Sequence, residues 1–217
     1  MSTLPAPSPK PTTSPGKRIL PPNPKAAAVV ALGFTVLLYL VELVDVVLPA
    51  DLDQGGIVAR SLGGLDGIAW APLLHDGWGH LLSNTVAVLV FAFLAMAGGI
   101  GQWVTVTAVI WVLGGLGVWL TAPGNAVTVG ASGLAFGWLA FLLVRGLFNR
   151  SARQLALAAV LFVIWGGMLW GVLPSSPNVS WQGHLFGALA GVLAAWLVGR
   201  ADRARAARRP AGPAVGG

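Results

Sequence analysis

Three short stretches of this chain carry groups able to do chemistry in surroundings that are otherwise apolar: His80 with Asn84, Ser132, and His184. Ser132 lies in Gly130-Ala131-Ser132-Gly133, where Gly130 can take backbone angles closed to other residues and Gly133 lets a neighbouring helix approach. A serine at a helix amino terminus has free backbone N–H groups beside it, and these can hold a developing oxyanion. The plainer role for it is an N-cap. His184 heads a segment with Gly187, Ala188 and Gly191 at offsets of three, four and seven, all on one helix face. That small-residue stripe would bring the imidazole against whatever helix it packs on. A neutral imidazole there could take the proton of Ser132 and return it to a leaving amine; the plainer reading is a histidine wetted at a membrane interface. His80 and Asn84, four apart, share a face and can both donate to a tetrahedral oxyanion, where losing one donor costs about 10² to 10³ in turnover. Their alternative is interhelical hydrogen bonding. His75 falls off that face and reads as structural.

These residues need elements to hold them, and the composition says which kind. Of 217 residues only 9% are charged and 56% are hydrophobic, with a mean hydropathy of +0.78. No Asp, Glu, Lys or Arg occurs from Gly77 through Val144, nor from Gln154 through Gly199. At about 20 apolar residues per helical crossing, the first stretch accommodates three spans and the second two. Apolar runs, Gly/Pro breaks and Trp positions predict six: Ala26 to Leu48, His80 to Gly99, Trp103 to Ala122, Ala131 to Phe148, Leu155 to Leu173, and Gly183 to Val198. The fold class expected is an all-α polytopic membrane protein. Residues 1–24 contain eight prolines and read as a disordered tail, residues 25–199 as the membrane domain, and 200–217 as a basic tail. The first apolar run is too long for a signal-peptide core and carries Glu42 and Asp45, so it is expected to stay as a span. The connection from Pro49 to Gly79, with Trp70 and Trp78, is too broken by Gly and Asp to cross and is expected to lie partly in the interface. Pro123-Gly124-Asn125 and Pro174-Ser175-Ser176-Pro177 read as turns.

With the amino terminus inside, 12 of the 13 Lys and Arg residues fall on one side and only Arg60 on the other. The positive-inside rule then predicts both termini in the cytoplasm. Spans two, four and six run from outside to inside, so His80, Asn84, Ser132 and His184 all come to the outer ends of their helices.

Several chemistries are excluded or disfavoured. There are no cysteines, hence no disulfides or thiolate catalysis. Three histidines and no H-E-x-x-H make a zinc centre at these residues a poor fit, and no metal or other cofactor is expected. Aspartyl catalysis would need paired carboxylates in the membrane; Glu42 and Asp45 sit on span one without an acid on another span and are expected to be hydrated or hydrogen-bonded. Despite a pI near 11.2, the bases lie in tails and one short loop rather than on a folded face, so nucleic acid is not an expected partner.

Taken together, the chain resembles the rhomboid family of intramembrane serine proteases. The matches are His75-Asp76-Gly77-Trp78-Gly79-His80-Leu81-Leu82-Ser83-Asn84 for the family's H-x-x-x-N helix start, Gly130-Ala131-Ser132-Gly133 for its G-x-S-G, and Gly183-His184 with Gly187 and Gly191 for its last-helix histidine and glycines. The resemblance covers roughly Leu65 to Trp196. It implies a six-helix rhomboid-like bundle with a water-filled cavity open to the outside and a Ser132–His184 dyad. It also implies an oxyanion hole of His80, Asn84 and the Ser132 N–H, and an aromatic ring, Phe136, against the imidazole. One departure stands out: many members carry a Trp-Arg pair in the first outer loop, where this chain has Asp66-Gly67 with Trp70 nearby and no arginine.

The sequence therefore predicts an intramembrane serine endopeptidase of the inner (plasma) membrane, acting on transmembrane or membrane-adjacent segments of other proteins without a cofactor. Partners beyond substrates are membrane lipids, through the basic tails. The rivals are a catalytically silent rhomboid-like binder of transmembrane clients and a small transporter. The second would want polar residues along a path through the membrane, which the inner halves of these spans lack.

Overall fold

The computed structural model describes residues 15–49, 51–124, 126–174 and 179–208. Its helices are α1 (Pro24–Val47), α2 (Gly67–Trp70), α3 (Gly77–Ala95), α4 (Ile100–Thr121), α5 (Ser132–Asn149), α6 (Ala152–Trp165) and α7 (Trp181–Ala207). All but α2 belong to six segments long and apolar enough to cross a membrane. A bilayer offers no hydrogen bonds, so each span satisfies its backbone internally and needs its caps only near the ends. Asn23 caps α1 by accepting from the Ala26 N–H at 3.1 Å, with Pro24 at the first helical position. Ser151 caps α6 through the Gln154 N–H, and α5 stops just before, at Arg150 in the left-handed region with φ 49°.

The bundle is built around α5. Every residue from Leu134 to Leu142 is buried, as expected of a helix apolar on all sides and surrounded by others. Its closest partner is α7, and the contact explains the stripe read from the sequence. A Cβ on Gly187 would strike the Gly133 carbonyl oxygen and one on Gly191 the Gly137 carbonyl oxygen, while one on Gly133 would stand 3.2 Å from the Gly183 oxygen. Two backbones touch along this seam because glycine leaves nothing between them. On the other face of α7, Phe186 fills the space left by Gly117 of α4.

The connection between α1 and α3 is a folded cap. It contains 3₁₀ turns at Leu52–Gly55, Leu62–Gly64 and Ala71–Leu73, the short α2, and a strand, β1 (Ile57–Val58), antiparallel to β2 (Val127–Thr128) just ahead of α5. The Trp-Arg pair is absent, and other groups fasten the cap. Arg60 donates from its backbone to the Trp119 carbonyl (2.9 Å) and from Nη1 to the Ala122 carbonyl (2.8 Å). The indoles of Trp119 and Trp111 donate back to Ser61 and Ile68 carbonyls at 2.9 and 2.7 Å.

Three sequence expectations shift at the edges. Residues 15–22 fall within the stretch read as a disordered tail, yet they dock under the bundle: the Gly16 carbonyl accepts from Asn149 Nδ2 (2.7 Å) and Gln154 Nε2 (2.8 Å), and the Arg18 carbonyl from Gln154 (3.0 Å). The helix read as ending near Val198 continues to Ala207. Arg145 is a buried residue of α5 rather than a loop base, its guanidinium 5.1 Å from the Phe141 ring centre. Residues 1–14 of the predicted tail, and Asn125 and residues 175–178 of the predicted turns, lie outside the described residues.

Candidate active site

Ser132 is the first residue of α5, and the chain leading to it is fixed on both sides. β2 pairs with the cap, the Gly130 N–H donates to the Ala71 carbonyl (2.8 Å), and the Ala131 N–H donates to His75 Nε2 (3.3 Å). Gly130 turns at φ +115°, and a Cβ there would stand 2.7 Å from His80 Cε1, so both conformation and space demand glycine. At the first turn of a helix the N–H groups have no partner four residues back, which leaves those of Ser132 and Gly133 available to an anion.

The Ser132 hydroxyl meets His184 from α7: Oγ to Nε2 is 2.9 Å. The other ring nitrogen, Nδ1, lies 3.0 Å from the Gly171 carbonyl in the 3₁₀ turn Gly166–Val172 that ends the fifth span. A carbonyl only accepts, so Nδ1 carries the proton and the Nε2 lone pair faces the serine hydroxyl. Phe136, one turn along α5 from Ser132, stacks flat on the imidazole with centroids 4.0 Å apart and planes at 7°. The ring is therefore held by a hydrogen bond at one edge and an aromatic face on its flank, with no carboxylate beside it.

His80 sits across Gly130 from this pair. Its Nδ1 accepts from the Asp76 N–H at 3.4 Å, which leaves Nε2 as the proton-bearing nitrogen, next to Gly130. Asn84 is buried on the same face of α3 and spends one of its two N–H bonds on the His80 carbonyl (3.1 Å). Gly133 and Gly187 set the α5–α7 spacing at the level of the dyad, and Gly191 repeats the contact one turn below.

Two residues with positions here were not singled out as part of the site from sequence. Gly171 supplies the carbonyl that orients His184, and a Cβ on it would fall 2.9 Å from Phe136 and 3.0 Å from the imidazole. His75, read as structural, is 1% exposed and stacks edge-on to His80 with centroids 5.2 Å apart. Burial pushes its pKa down to about 4, with His80 adding to the shift, which keeps Nε2 free to accept from Ala131. The H-x-x-x-N spacing carried no hint of that bond.

Glu42 corrects an expectation. It is 2% exposed rather than open to water, and among the described residues neither carboxylate oxygen has a hydrogen-bond partner. Asp45, by contrast, accepts from the Leu52 N–H at 2.6 Å, and it meets Asp51 and Asp53 from the cap, carboxylates the span pattern did not associate with it.

The family model for the Rhomboid domain matches residues 65–201. An uncharacterized protein of Mycobacterium tuberculosis is 44% identical over 214 residues, covering 95% of this chain and 88% of the relative. One of Mycobacterium leprae is 42% identical over 211 residues, covering 94% and 82%. Rhomboid-like protein 11, chloroplastic, of Arabidopsis thaliana is 31% identical over 151 residues, covering 60% and 51%. No solved structure matches the chain. The matched domain takes in every helix from α2 to α6 and nearly all of α7, and with six apolar helices the chain is a multi-pass membrane protein belonging to the rhomboid family.

Proposed function

We propose that the protein is an intramembrane serine endopeptidase that cleaves transmembrane or membrane-adjacent segments of other membrane proteins. The observation that carries the reading is the 2.9 Å contact between Ser132 Oγ and His184 Nε2, with Nδ1 held by the Gly171 carbonyl. In this arrangement His184 accepts the serine proton as Oγ attacks a substrate carbonyl. The oxyanion that forms is held by the Ser132 N–H at the head of α5 and by His80 Nε2–H and the Asn84 amide. His184, now protonated, gives its proton to the leaving amine and frees the new amino terminus. Water then attacks the acyl-serine, His184 again removing and returning a proton, and the carboxyl product departs. No cofactor enters these steps. A substrate helix must expose a carbonyl, so segments with helix-breaking Gly or Pro near the interface are the targets the chemistry favours.

The charge distribution supports an inner-membrane orientation with both termini cytoplasmic and the site opening to the outer side. A fluorophosphonate probe tests the catalytic assignment on membranes holding the wild type, Ser132→Ala and His184→Ala. The wild type should label, Ser132→Ala not at all, and His184→Ala slower by at least about 10²-fold. Labelling that survives Ser132→Ala removes the nucleophile assignment, and no labelling of any form leaves a silent binder of transmembrane clients.

A further inference from the structure

Of the seven acidic residues in the chain, five gather at the junction of α1, the cap and α3: Glu42, Asp45, Asp51, Asp53 and Asp76. One oxygen from each of Asp45, Asp51 and Asp53 lies within 4.8 Å of the others. No base offsets them: among the described residues the one salt bridge joins Arg205 and Asp202 on the far side, and Arg60 commits Nη1 to the Ala122 carbonyl. Carboxylate clusters on a surface are common and dissipate into water. Here Glu42, one helical turn before Asp45 and in the electrostatic field of Asp45, Asp76 and Asp53, is sealed from solvent with both oxygens unpartnered. Asp53 Oδ1 is likewise buried without a partner. A buried, unpartnered carboxylate close to other carboxylates is costly unless a cation offsets the charge.

We propose that Asp45, Asp51 and Asp53, backed by Glu42, form a calcium-binding site that clamps the first outer loop to the end of α1. The donors are all oxygens, as a hard cation requires, and come from both a helix end and a loop able to adjust to six or more ligands. Oxygens at 2.3 to 2.6 Å from one calcium ion can stand up to about 5 Å apart, whereas around magnesium they reach about 4.2 Å. The three carboxylate oxygens, all within 4.8 Å of one another, lie within the spread that calcium's longer and more flexible coordination accommodates. Some bonds already made would persist: Asp45 keeps the Leu52 N–H and Asp51 Oδ2 holds Gln54 Nε2 at 3.1 Å, each carboxylate having a second oxygen to offer. The site stands apart from the hydrolysis reading, and its test does not use activity.

The full-length protein, purified in detergent and stripped with chelator, would be titrated with calcium chloride by equilibrium dialysis, alongside thermal unfolding. One ion should bind per chain with a Kd of about 0.1 to 1 mM, the range of calcium sites facing the outside of cells. At ten or more times that Kd the Tm should rise by at least about 3 °C. Asp51→Asn, on an exposed residue that the fold tolerates changing, should weaken binding at least about tenfold, and Asp51→Asn with Asp53→Asn should abolish it. Asp66→Asn, an acid of the same loop outside the cluster, should bind as the wild type does. Absence of saturable binding, binding that survives the double substitution, or magnesium binding as tight as calcium would each overturn the proposal; the first would mean that the carboxylates share protons instead.

Discussion

A methyl group on Gly171 would stand 2.9 Å from Phe136 and 3.0 Å from His184 Nδ1, inside van der Waals contact with both groups that orient the imidazole. Gly171→Ala therefore pushes the ring away from Ser132 or loosens the Gly171 carbonyl bond, with Ser132 and the oxyanion donors untouched. Misplacing a reacting group by about 1 Å costs on the order of 10² in rate, and that is the expected fall in fluorophosphonate labelling rate. A Tm close to wild type would accompany it, because the residue ends a span and supports no core. Labelling at the wild-type rate would show that the Gly171 contact does not position His184. This dependence was hidden in the sequence for a physical reason. Ser132 and His184 stood out because they are polar residues among apolar ones, whereas Gly171 acts through a carbonyl that every residue has. His75 was read as structural, but its particular task was hidden similarly: it accepts one backbone N–H from a segment 56 positions away, a bond that only the folded loop creates.

Helices position these groups by how closely they can pack. The stripe Gly187, Ala188, Gly191 was legible as a surface for close approach, but nothing in its period named the partner. That partner proves to be α5, with Gly133 and Gly137 opposite, so the glycine after the serine and the glycines after the histidine are two halves of one seam. Gly191→Val tests the seam away from the dyad, since its side chain would collide with the Gly137 backbone two turns below His184. Backbone cannot swing aside as a side chain can, so the cost should lie at or above the usual 1 to 3 kcal/mol of overpacking. The expected readout is a Tm lower by at least about 3 °C and faster proteolysis, with activity reduced in proportion to the folded fraction. Unchanged stability would show that α7 can slide without loss. The cap over this seam was less legible. β1 and β2 are two residues each, too short for any alternation to register, and of the cap's anchors Trp111, Trp119 and Arg60 only the last was set apart in the sequence, as the one base on the outer side.

For the whole molecule, charge decides which way the bundle sits. The six spans were readable because a bilayer permits only long apolar helices, a constraint that acts on composition and needs no knowledge of contacts. The junctions were harder, since residues 15–22 and 200–207 look like solvated tail by composition yet are held by Asn149, Gln154 and the continuation of α7. The orientation expected from the sequence rests on the same polar ends: by the span pattern 12 of 13 bases fall on one side, and positive residues, not acids, set topology. The five clustered acids on the opposite side thus neither help nor hinder insertion. Fusions in a bacterial host read the outcome directly. Alkaline phosphatase joined after Pro123, beyond the third span, should be active, and joined after Gly217 it should be silent, while a fluorescent protein at Gly217 should glow. The reverse pattern would put Ser132 and His184 at the inner leaflet, where the calcium and substrate arguments would both have to be rebuilt. Because the bias comes from many residues, replacing Arg150 and Arg153 alone should leave the pattern intact; an inversion from those two changes would show that one short loop, rather than the ensemble of bases, fixes the fold in the membrane.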